Sequence, residues 1–216
     1  MKRGAIFDMD GTLFDTERIY RDAWMQLPPK FGYTPDPAFP EAVRGTAGER
    51  VRVLAEKYYP GIDVEAFVAD CRTYVDNVLQ AGVPVKPGVR EVLEYFFDWD
   101  MPMAIASSAR IGKIMHCLNA SGLAPYFSVI VSGKDVEETK PAPDIFLLAC
   151  DRLGYLPEEC YVFEDAPNGV FGSAAAGCYT VMISDLVEPG EEVRRVCAGV
   201  YRDFFAVRRA LEAGIL

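Results

Sequence analysis

The sequence predicts an α/β protein with a mostly parallel, doubly wound sheet, into which a second, helical domain is inserted. Two observations carry this prediction: short apolar runs alternate with helical patterns along most of the chain, and one long helical segment interrupts that alternation after the first run. With 216 residues, 50% of them hydrophobic and 25% charged, the chain can bury its own core and has the composition of a globular protein.

The apolar runs and the helical patterns define the α/β part. Runs rich in β-branched and aromatic residues predict buried strands at residues 4–7, 103–106, 129–131, 161–163 and 179–183. Helical patterns lie between the later runs, at residues 89–97, 111–119, 143–153 and 168–176. Because strand–helix alternation of this kind is typical of parallel sheets, we expect a doubly wound core.

The segment between the first and second strands differs from the rest of the chain. It shows helical patterns at residues 17–27, 41–43, 49–58 and 64–79, separated by proline and glycine. We therefore predict two domains, an α/β core of residues 1–15 and 84–216 and a helical cap domain of residues 16–83.

Charge and composition exclude several classes of partner. The net charge is −10, and a basic face of the kind that binds nucleic acid is not visible, so we expect no nucleic-acid partner. No apolar run approaches the roughly 20 residues of a membrane span, and we expect no membrane partner. The six cysteines form no CxxC motif, which predicts reduced, buried thiols in a cytoplasmic protein. His116, the single histidine, is predicted to be structural or exposed.

Polar side chains follow the ends of the predicted strands. Asp8 follows the first and Ser107 the second, Ser132 closes the third, and Glu164-Asp165 and Ser184-Asp185 follow the last two. Because ligands of open α/β sheets bind at the carboxyl ends of the strands, these groups predict a site at that edge.

The most specific local signal is the stretch FDMDGTLFDT at residues 7–16. Side chains alternate along a strand, so Asp8 and Asp10 can point the same way, and two carboxylates at about 4 Å repel by roughly 4 kcal/mol at an effective dielectric constant near 20. Such a pair needs a cation, a shared proton or different roles, and Mg²⁺ with its oxygen ligands meets that need. The alternative is a solvated turn with Gly11 at a positive φ.

Three further segments are weaker signals when taken alone. Ser107 and Ser108 precede a helix and suit a phosphate oxygen, or they are ordinary capping residues. Lys140, between Thr139 and two prolines, can neutralise a phosphate or can be a solvated surface lysine. Glu164 and Asp165 can complete a metal site, or they only favour the dipole of the helix that follows.

In this order the four segments resemble the four motifs of the haloacid dehalogenase superfamily, and the resemblance covers nearly the whole chain. It is closest to the helical-cap subfamily I, which includes β-phosphoglucomutase and sugar-phosphate phosphatases. The resemblance implies a Rossmann-like core, Mg²⁺ as cofactor and a small phosphorylated substrate. It also implies an aspartyl-phosphate intermediate.

The resemblance further implies a role for each motif residue. Asp8 would be the nucleophile, and Asp10 would protonate the leaving oxygen and then activate water. The phosphoryl oxygens would be held by Ser107, Ser108, Lys140 and the backbone N–H groups of Met9 and Gly11. Mg²⁺ would be bound by the Asp8 carboxylate, the Asp10 carbonyl, Asp165 and Glu164.

The cap is expected to select the substrate. The candidate residues there are Tyr20, Trp24, Arg44, Gly45 and Arg50. Trp24 can stack on a sugar ring or can be buried within the cap.

The mutase pattern is only partly met. The chain has Tyr20 where the family's mutases carry a histidine and Ile111 where they carry an asparagine. Gly48 aligns with an arginine of the mutases, although Arg50 is close to that position. These departures favour a phosphatase over a β-phosphoglucomutase-type mutase, which stays the alternative. A 2-haloacid dehalogenase would leave Asp10 and the later acids poorly explained, and a non-catalytic binding protein would not need the complete set of motifs. We expect the protein to be a monomer.

Overall fold

The computed structural model describes residues 2–44, 46, 48–184 and 188–216. The chain divides into two compact units. One consists of Met1–Phe14 and Val85–Leu216, and the other of Asp15–Pro84.

The Asp15–Pro84 unit is helical. Its helices are α1 (Thr16–Gln26), α2 (Ala38–Val43), α3 (Glu49–Tyr58) and α4 (Val64–Ala81), with a 3₁₀ turn at Pro28–Phe31. The carboxylate of Asp63 caps α4, accepting a hydrogen bond from the backbone N–H of Ala66 at 3.0 Å. Prediction and structure agree closely for α3, whereas α2 begins three residues before the predicted start.

Aromatic side chains form the core of the helical unit. The Phe39 ring centroid lies 5.5 Å from that of Trp24, 5.2 Å from that of Tyr59 and 6.1 Å from that of Phe67. All four side chains are buried. Ring packing of this kind adds to the free energy gained by burial, so this unit has a hydrophobic core of its own.

The other unit is built on a parallel sheet, as predicted. Its strands are β1 (Gly4–Phe7), β2 (Met103–Ser107), β3 (Phe127–Ser132), β4 (Cys160–Glu164), β5 (Tyr179–Ile183) and β6 (Gly199–Tyr201). In the described part of the chain they form one sheet in the order β3-β2-β1-β4-β5-β6, and each neighbouring pair is parallel. The order reverses between β1 and β4, which is the switch point where doubly wound sheets bind ligands.

Helices cover both faces of this sheet. They are α5 (Val89–Asp98), α6 (Ile111–Ser121), α7 (Asp144–Leu153), α8 (Pro167–Ala175), α9 (Glu191–Val196) and α10 (Phe204–Glu212), with 3₁₀ turns at Ala124–Tyr126 and Pro157–Glu159. Successive residues of β1 face opposite sides. Phe7 packs against Phe96 of α5 and Phe204 of α10, while Ile6 belongs to the cluster formed with Phe146 of α7.

The sequence patterns missed the last part of this unit. Strand β6 has only three residues, all half-buried, and α9 is only six residues long. Neither element is long enough for a periodic hydrophobic pattern to emerge. Helix α10 was also missed, although its apolar positions Phe204, Val207 and Leu211 recur at helical spacing. Among the described residues, no helix combines the length and the apolar character that crossing a bilayer requires.

Candidate active site

The carboxyl ends of three neighbouring strands bring polar groups together. Asp8 directly follows β1, Ser107 ends β2 and Glu164 ends β4, and β1 lies between the other two strands. The backbone N–H of Asp8 donates to the carbonyl of Phe163 at 3.0 Å, which extends the pairing with β4 by one residue. Asp8 and Glu164 therefore flank the switch point of the sheet.

Lys140 connects these strand ends. Its Nζ lies 2.6 Å from Oδ1 of Asp8, 2.6 Å from Oε1 of Glu164 and 2.9 Å from the carbonyl oxygen of Ala106 in β2. Its side chain is 5% exposed, so Lys140 is not the solvated surface lysine that the sequence left open. One ammonium group thus bridges two buried acids.

The buried charges shift each other's ionisation. Burial raises the pKa of Asp8 to about 7, against the lowering effect of Lys140 and with a further raising effect of the Glu164 carboxylate. Burial lowers the pKa of Lys140, but the carboxylates of Asp8 and Glu164 raise it more, and the net shift is upward. The two buried carboxylates of Asp8 and Glu164 thus share the one ammonium group of Lys140.

Three of the acids form a candidate metal site. One carboxylate oxygen each of Asp8, Glu164 and Asp165 lies within 4.8 Å of the others. Three hard carboxylate oxygen donors fit Mg²⁺ better than a soft metal. The acids also have their own support, because Thr12 donates to Asp165 at 3.1 Å and the N–H groups of Asp165 and Ala166 donate to Glu164 at 3.1 and 3.3 Å.

Two glycines leave room for these carboxylates. A Cβ atom on Gly11 would overlap the carboxylate of Asp165, and a Cβ atom on Gly169 would overlap that of Glu164. Gly11 also has a φ of +84°, a conformation that glycine adopts without strain. The backbone at Gly11 and Gly169 therefore packs directly against the carboxylates of Asp165 and Glu164. Carboxylates held this close together suit a small cation.

The carboxylate of Asp10 lies in a different environment. Its Oδ1 accepts a hydrogen bond from Nζ of Lys113 at 2.7 Å, and the two side chains are 23% and 16% exposed. Lys113 lies in the first turn of α6 and was missed from sequence, because no local pattern indicates a contact across 103 positions. Lys86 was missed for the same reason; it is buried, and its Nζ donates to the carbonyl of Gly11 at 2.8 Å.

The backbone after Asp8 forms a tight loop. Met9 is fully buried, and its carbonyl accepts hydrogen bonds from the N–H groups of Leu13 and Phe14 at 3.0 and 3.1 Å. The N–H of Gly11 donates to the carbonyl of Phe14 at 2.9 Å. In this loop the N–H of Gly11 already has an acceptor, and the lack of a side chain is what the geometry requires at this position. Phosphate binding by this N–H stays a prediction.

The two serines after β2 differ from each other. Ser107 is 1% exposed, and its Oγ accepts a hydrogen bond from the N–H of Ala109 at 3.1 Å, two residues before α6 begins. The residue that caps α6 is Arg110, so Ser107 is not a helix cap. Ser108 is exposed. The hydroxyl of Ser107 therefore lies at the same strand edge as Asp8.

The candidate substrate residues lie in the helical unit. The Tyr20 ring stacks on Trp24 at 6.0 Å, and Trp24 is 7% exposed among aromatic rings, which corresponds to the burial that the sequence left as an alternative. Arg44 pairs with Glu41 at 2.7 Å, and Arg50 is exposed. Gly45 lies outside the described residues, as does Asp185 in the α/β unit. His116 is exposed, which is one of the two environments that the sequence predicted for it.

The chain is similar in sequence to one family of known proteins. Residues 5–183 match the model of the haloacid dehalogenase-like hydrolase family. The chain is 34% identical over 175 residues to the fructose-1-phosphate phosphatase YqaB of Escherichia coli, an alignment that covers 81% of this chain and 92% of that protein. It is also 34% identical over 175 residues to a phosphorylated carbohydrates phosphatase of Thermotoga maritima, with 80% of each covered.

A solved structure shares the fold over the whole chain. The β-phosphoglucomutase of Clostridium difficile superposes with a TM-score of 0.81 at 21% sequence identity, covering 100% of this chain and 97% of that one. At this identity the likeness establishes the common fold and nothing about the substrate.

Proposed function

Because the chain belongs to the haloacid dehalogenase-like hydrolase family, we propose that it is a Mg²⁺-dependent phosphatase of small phosphorylated metabolites, sugar phosphates foremost. The observation that carries this proposal is the position of Lys140 between Asp8 and Glu164 at the switch point of the sheet. A nucleophilic carboxylate, a fixed ammonium group and a neighbouring acidic metal site are the parts that phosphoryl transfer needs.

In the first step Asp8 attacks phosphorus, and the bond to the leaving oxygen breaks as the aspartyl phosphate forms. Asp10 gives a proton to that oxygen. In the second step Asp10 takes a proton from water as the water attacks the aspartyl phosphate, which releases phosphate and restores Asp8.

The remaining residues position and neutralise the phosphoryl group. Lys140 and Ser107, with Ser108 beside them, hold the phosphoryl oxygens in this proposal. A Mg²⁺ ion held by Asp8, Asp165 and the Asp10 carbonyl would supply further neutralisation of phosphoryl charge. Glu164 is already engaged by Lys140 and two N–H groups, and we assign it the task of supporting that site from beside it.

We propose residues 16–83 as the cap that selects the substrate. The names of the relatives favour phosphorylated carbohydrates, since one acts on fructose 1-phosphate and the other on phosphorylated carbohydrates. Ile111, where the mutases carry an asparagine, is exposed and offers no polar group for a second phosphate. The proposed enzyme is a cytoplasmic monomer that needs neither nucleic acid nor membrane.

The test is a panel of phosphate esters assayed with Mg²⁺ for free phosphate and for isomerised sugar phosphate. Fructose 1-phosphate, glucose 6-phosphate, β-glucose 1-phosphate and glycerol 3-phosphate sample the class. Phosphate release without isomerisation is expected, and Asp8→Asn should lower kcat by a factor on the order of 10³ or more. Full activity of Asp8→Asn would disprove the nucleophile, whereas conversion of β-glucose 1-phosphate to glucose 6-phosphate would establish the mutase.

A further inference from the structure

The ion pair between Lys113 and Asp10 is the feature that the reaction scheme above leaves unused. It joins the first turn of α6 to the loop after β1, with 2.7 Å between Nζ and Oδ1. Both side chains are largely shielded from solvent. A lysine that only kept the protein soluble would extend into water, where ion pairs contribute little.

The backbone and the side chain of Asp10 are fixed by different partners. The backbone forms a bridge with Phe14, and Lys86 binds the carbonyl of the next residue, Gly11. The carboxylate is held by Lys113. Because Lys113 engages Oδ1, the orientation of Oδ2 is defined as well, and Oδ2 is the oxygen that can carry a proton to a substrate.

We propose that Lys113 is a positioning residue that orients the carboxyl group of Asp10 for proton transfer to the leaving oxygen. The inference rests on the proposed function, in which Asp10 is the acid. The proton moves from Oδ2 to the leaving oxygen as the bond from that oxygen to phosphorus breaks, while Lys113 keeps its own protons throughout. Orientation to within a fraction of an ångström is what such transfers require.

The proposal makes the effect of Lys113 depend on the leaving group. The leaving group of 4-methylphenyl phosphate resembles the tyrosine side chain, with a pKa of about 10, and gains from protonation as it departs. The far more acidic 4-nitrophenol can leave as the anion. The two esters have similar size and the same phosphoryl group, so a residue that binds phosphate would affect both equally.

The experiment compares kcat/KM of Lys113→Met on the two esters, because kcat/KM reports the steps up to departure of the leaving group. We expect a loss of about 10-fold or more on 4-methylphenyl phosphate and of less than about 3-fold on 4-nitrophenyl phosphate. Lys113→Arg should recover most of the loss. Lys134→Met removes an exposed positive charge of the same unit and is the matched control, with both values unchanged.

A second variant separates positioning from direct substrate contact. In an Asp10→Asn background, Lys113→Met should cause no further loss on 4-methylphenyl phosphate, because the two residues act through one group. Equal losses on the two esters, or a further loss in that background, would overturn the proposal. Absence of wild-type activity on both aryl esters and on the panel of sugar phosphates would instead contradict the phosphatase itself and remove the premise. Thermal unfolding of each variant identifies any loss that reflects misfolding.

Discussion

Gly169 lies so close to Glu164 that a Cβ atom at position 169 would overlap Oε1 of the glutamate. That oxygen accepts the hydrogen bond from Lys140. The space beside Gly169 therefore determines the position of Glu164, and Glu164 in turn helps to hold Lys140. The helix α8 therefore contributes to the site by bringing a residue without a side chain against the end of β4.

Gly169→Ala is expected to displace Glu164 and to weaken its contact with Lys140. Overlap in a packed site costs about 1–3 kcal/mol of folding free energy, and misplacement by about 1 Å can lower kcat by up to about 10²-fold. Urea unfolding and phosphatase assays measure the two effects.

Gly112→Ala is the matched control for Gly169→Ala. Gly112 also lies in the first turn of a helix, α6, but a Cβ atom there would meet nothing within 4 Å. We expect this variant to keep its activity and to gain up to about 1 kcal/mol, since alanine favours helix over glycine. Equal behaviour of the two variants would show that the contact with Glu164 is not what requires Gly169.

Lys140→Met is expected to leave Asp8 and Glu164 buried without their shared cation. Removing one partner of a buried ion pair typically costs about 3–5 kcal/mol, because the remaining charge is uncompensated. Lys30→Met removes one partner of an exposed pair with Asp70 and should cost at most about 1 kcal/mol. Thermal unfolding without metal compares them.

Mg²⁺ provides a further distinction for this pair of variants. A divalent cation restores part of the missing positive charge, so Mg²⁺ should raise the melting temperature of Lys140→Met more than that of Lys30→Met. The same small shift in both variants would contradict a cation site beside Asp8.

The sequence predicted the bounds of some strands of the sheet more closely than those of others. The predicted bounds of β1 and β5 agree with the structure because each is a run of mostly apolar residues that is followed by a polar residue. Strand β3 extends two residues earlier than predicted, since Phe127 pairs with Met103 of β2, and the exposed Ser128 lies at the irregularity between this pair and the next. A strand is defined by its hydrogen bonds to a neighbouring strand, and the hydropathy pattern of one segment does not report those bonds.

In the candidate site, too, residues within local motifs could be predicted, whereas residues brought there by long-range contacts could not. Asp8, Lys140, Glu164 and Asp165 could be predicted as candidates from sequence because each lies in a recognisable motif near a strand or helix end. Lys113 and Lys86 contact the loop after Asp8 across 103 and 75 positions, and only the folded chain brings them there. The burial of Lys140 was likewise undecided in sequence, where a lysine between prolines can be exposed or enclosed.

Removal of Mg²⁺ is expected to abolish turnover and to lower stability. The cluster of Asp8, Glu164 and Asp165 repels itself without a cation, and burial already raises the pKa of Asp8. Binding to the folded state alone stabilises by about 2.7 kcal/mol at a concentration one hundred times the Kd. Melting temperature against Mg²⁺ concentration, with EDTA as the zero point, measures this gain independently of activity.

Asp165→Asn is the variant that links the stabilisation by Mg²⁺ to the acidic cluster. The substitution removes one charged ligand and leaves the size of the side chain at position 165 nearly unchanged. The rise of the melting temperature with Mg²⁺ should therefore occur at higher Mg²⁺ concentrations. An unchanged dependence would contradict the assignment of Asp165 to the metal site.

Trp24→Leu tests whether Trp24 serves the fold or the substrate. Trp24 packs against the rings of Phe39 and Phe67 and is 7% exposed, so we expect a loss of about 2–4 kcal/mol from the stability of the helical unit, with little change in KM at temperatures where the variant is folded. Trp99, the other tryptophan, is 60% exposed, and Trp99→Leu should change stability by less than about 1 kcal/mol. Far-UV circular dichroism follows unfolding in both variants, and steady-state kinetics gives KM. A tenfold rise in KM with unchanged stability in Trp24→Leu would assign the ring to the substrate, because a buried core residue acts on KM only through the fold that it stabilises.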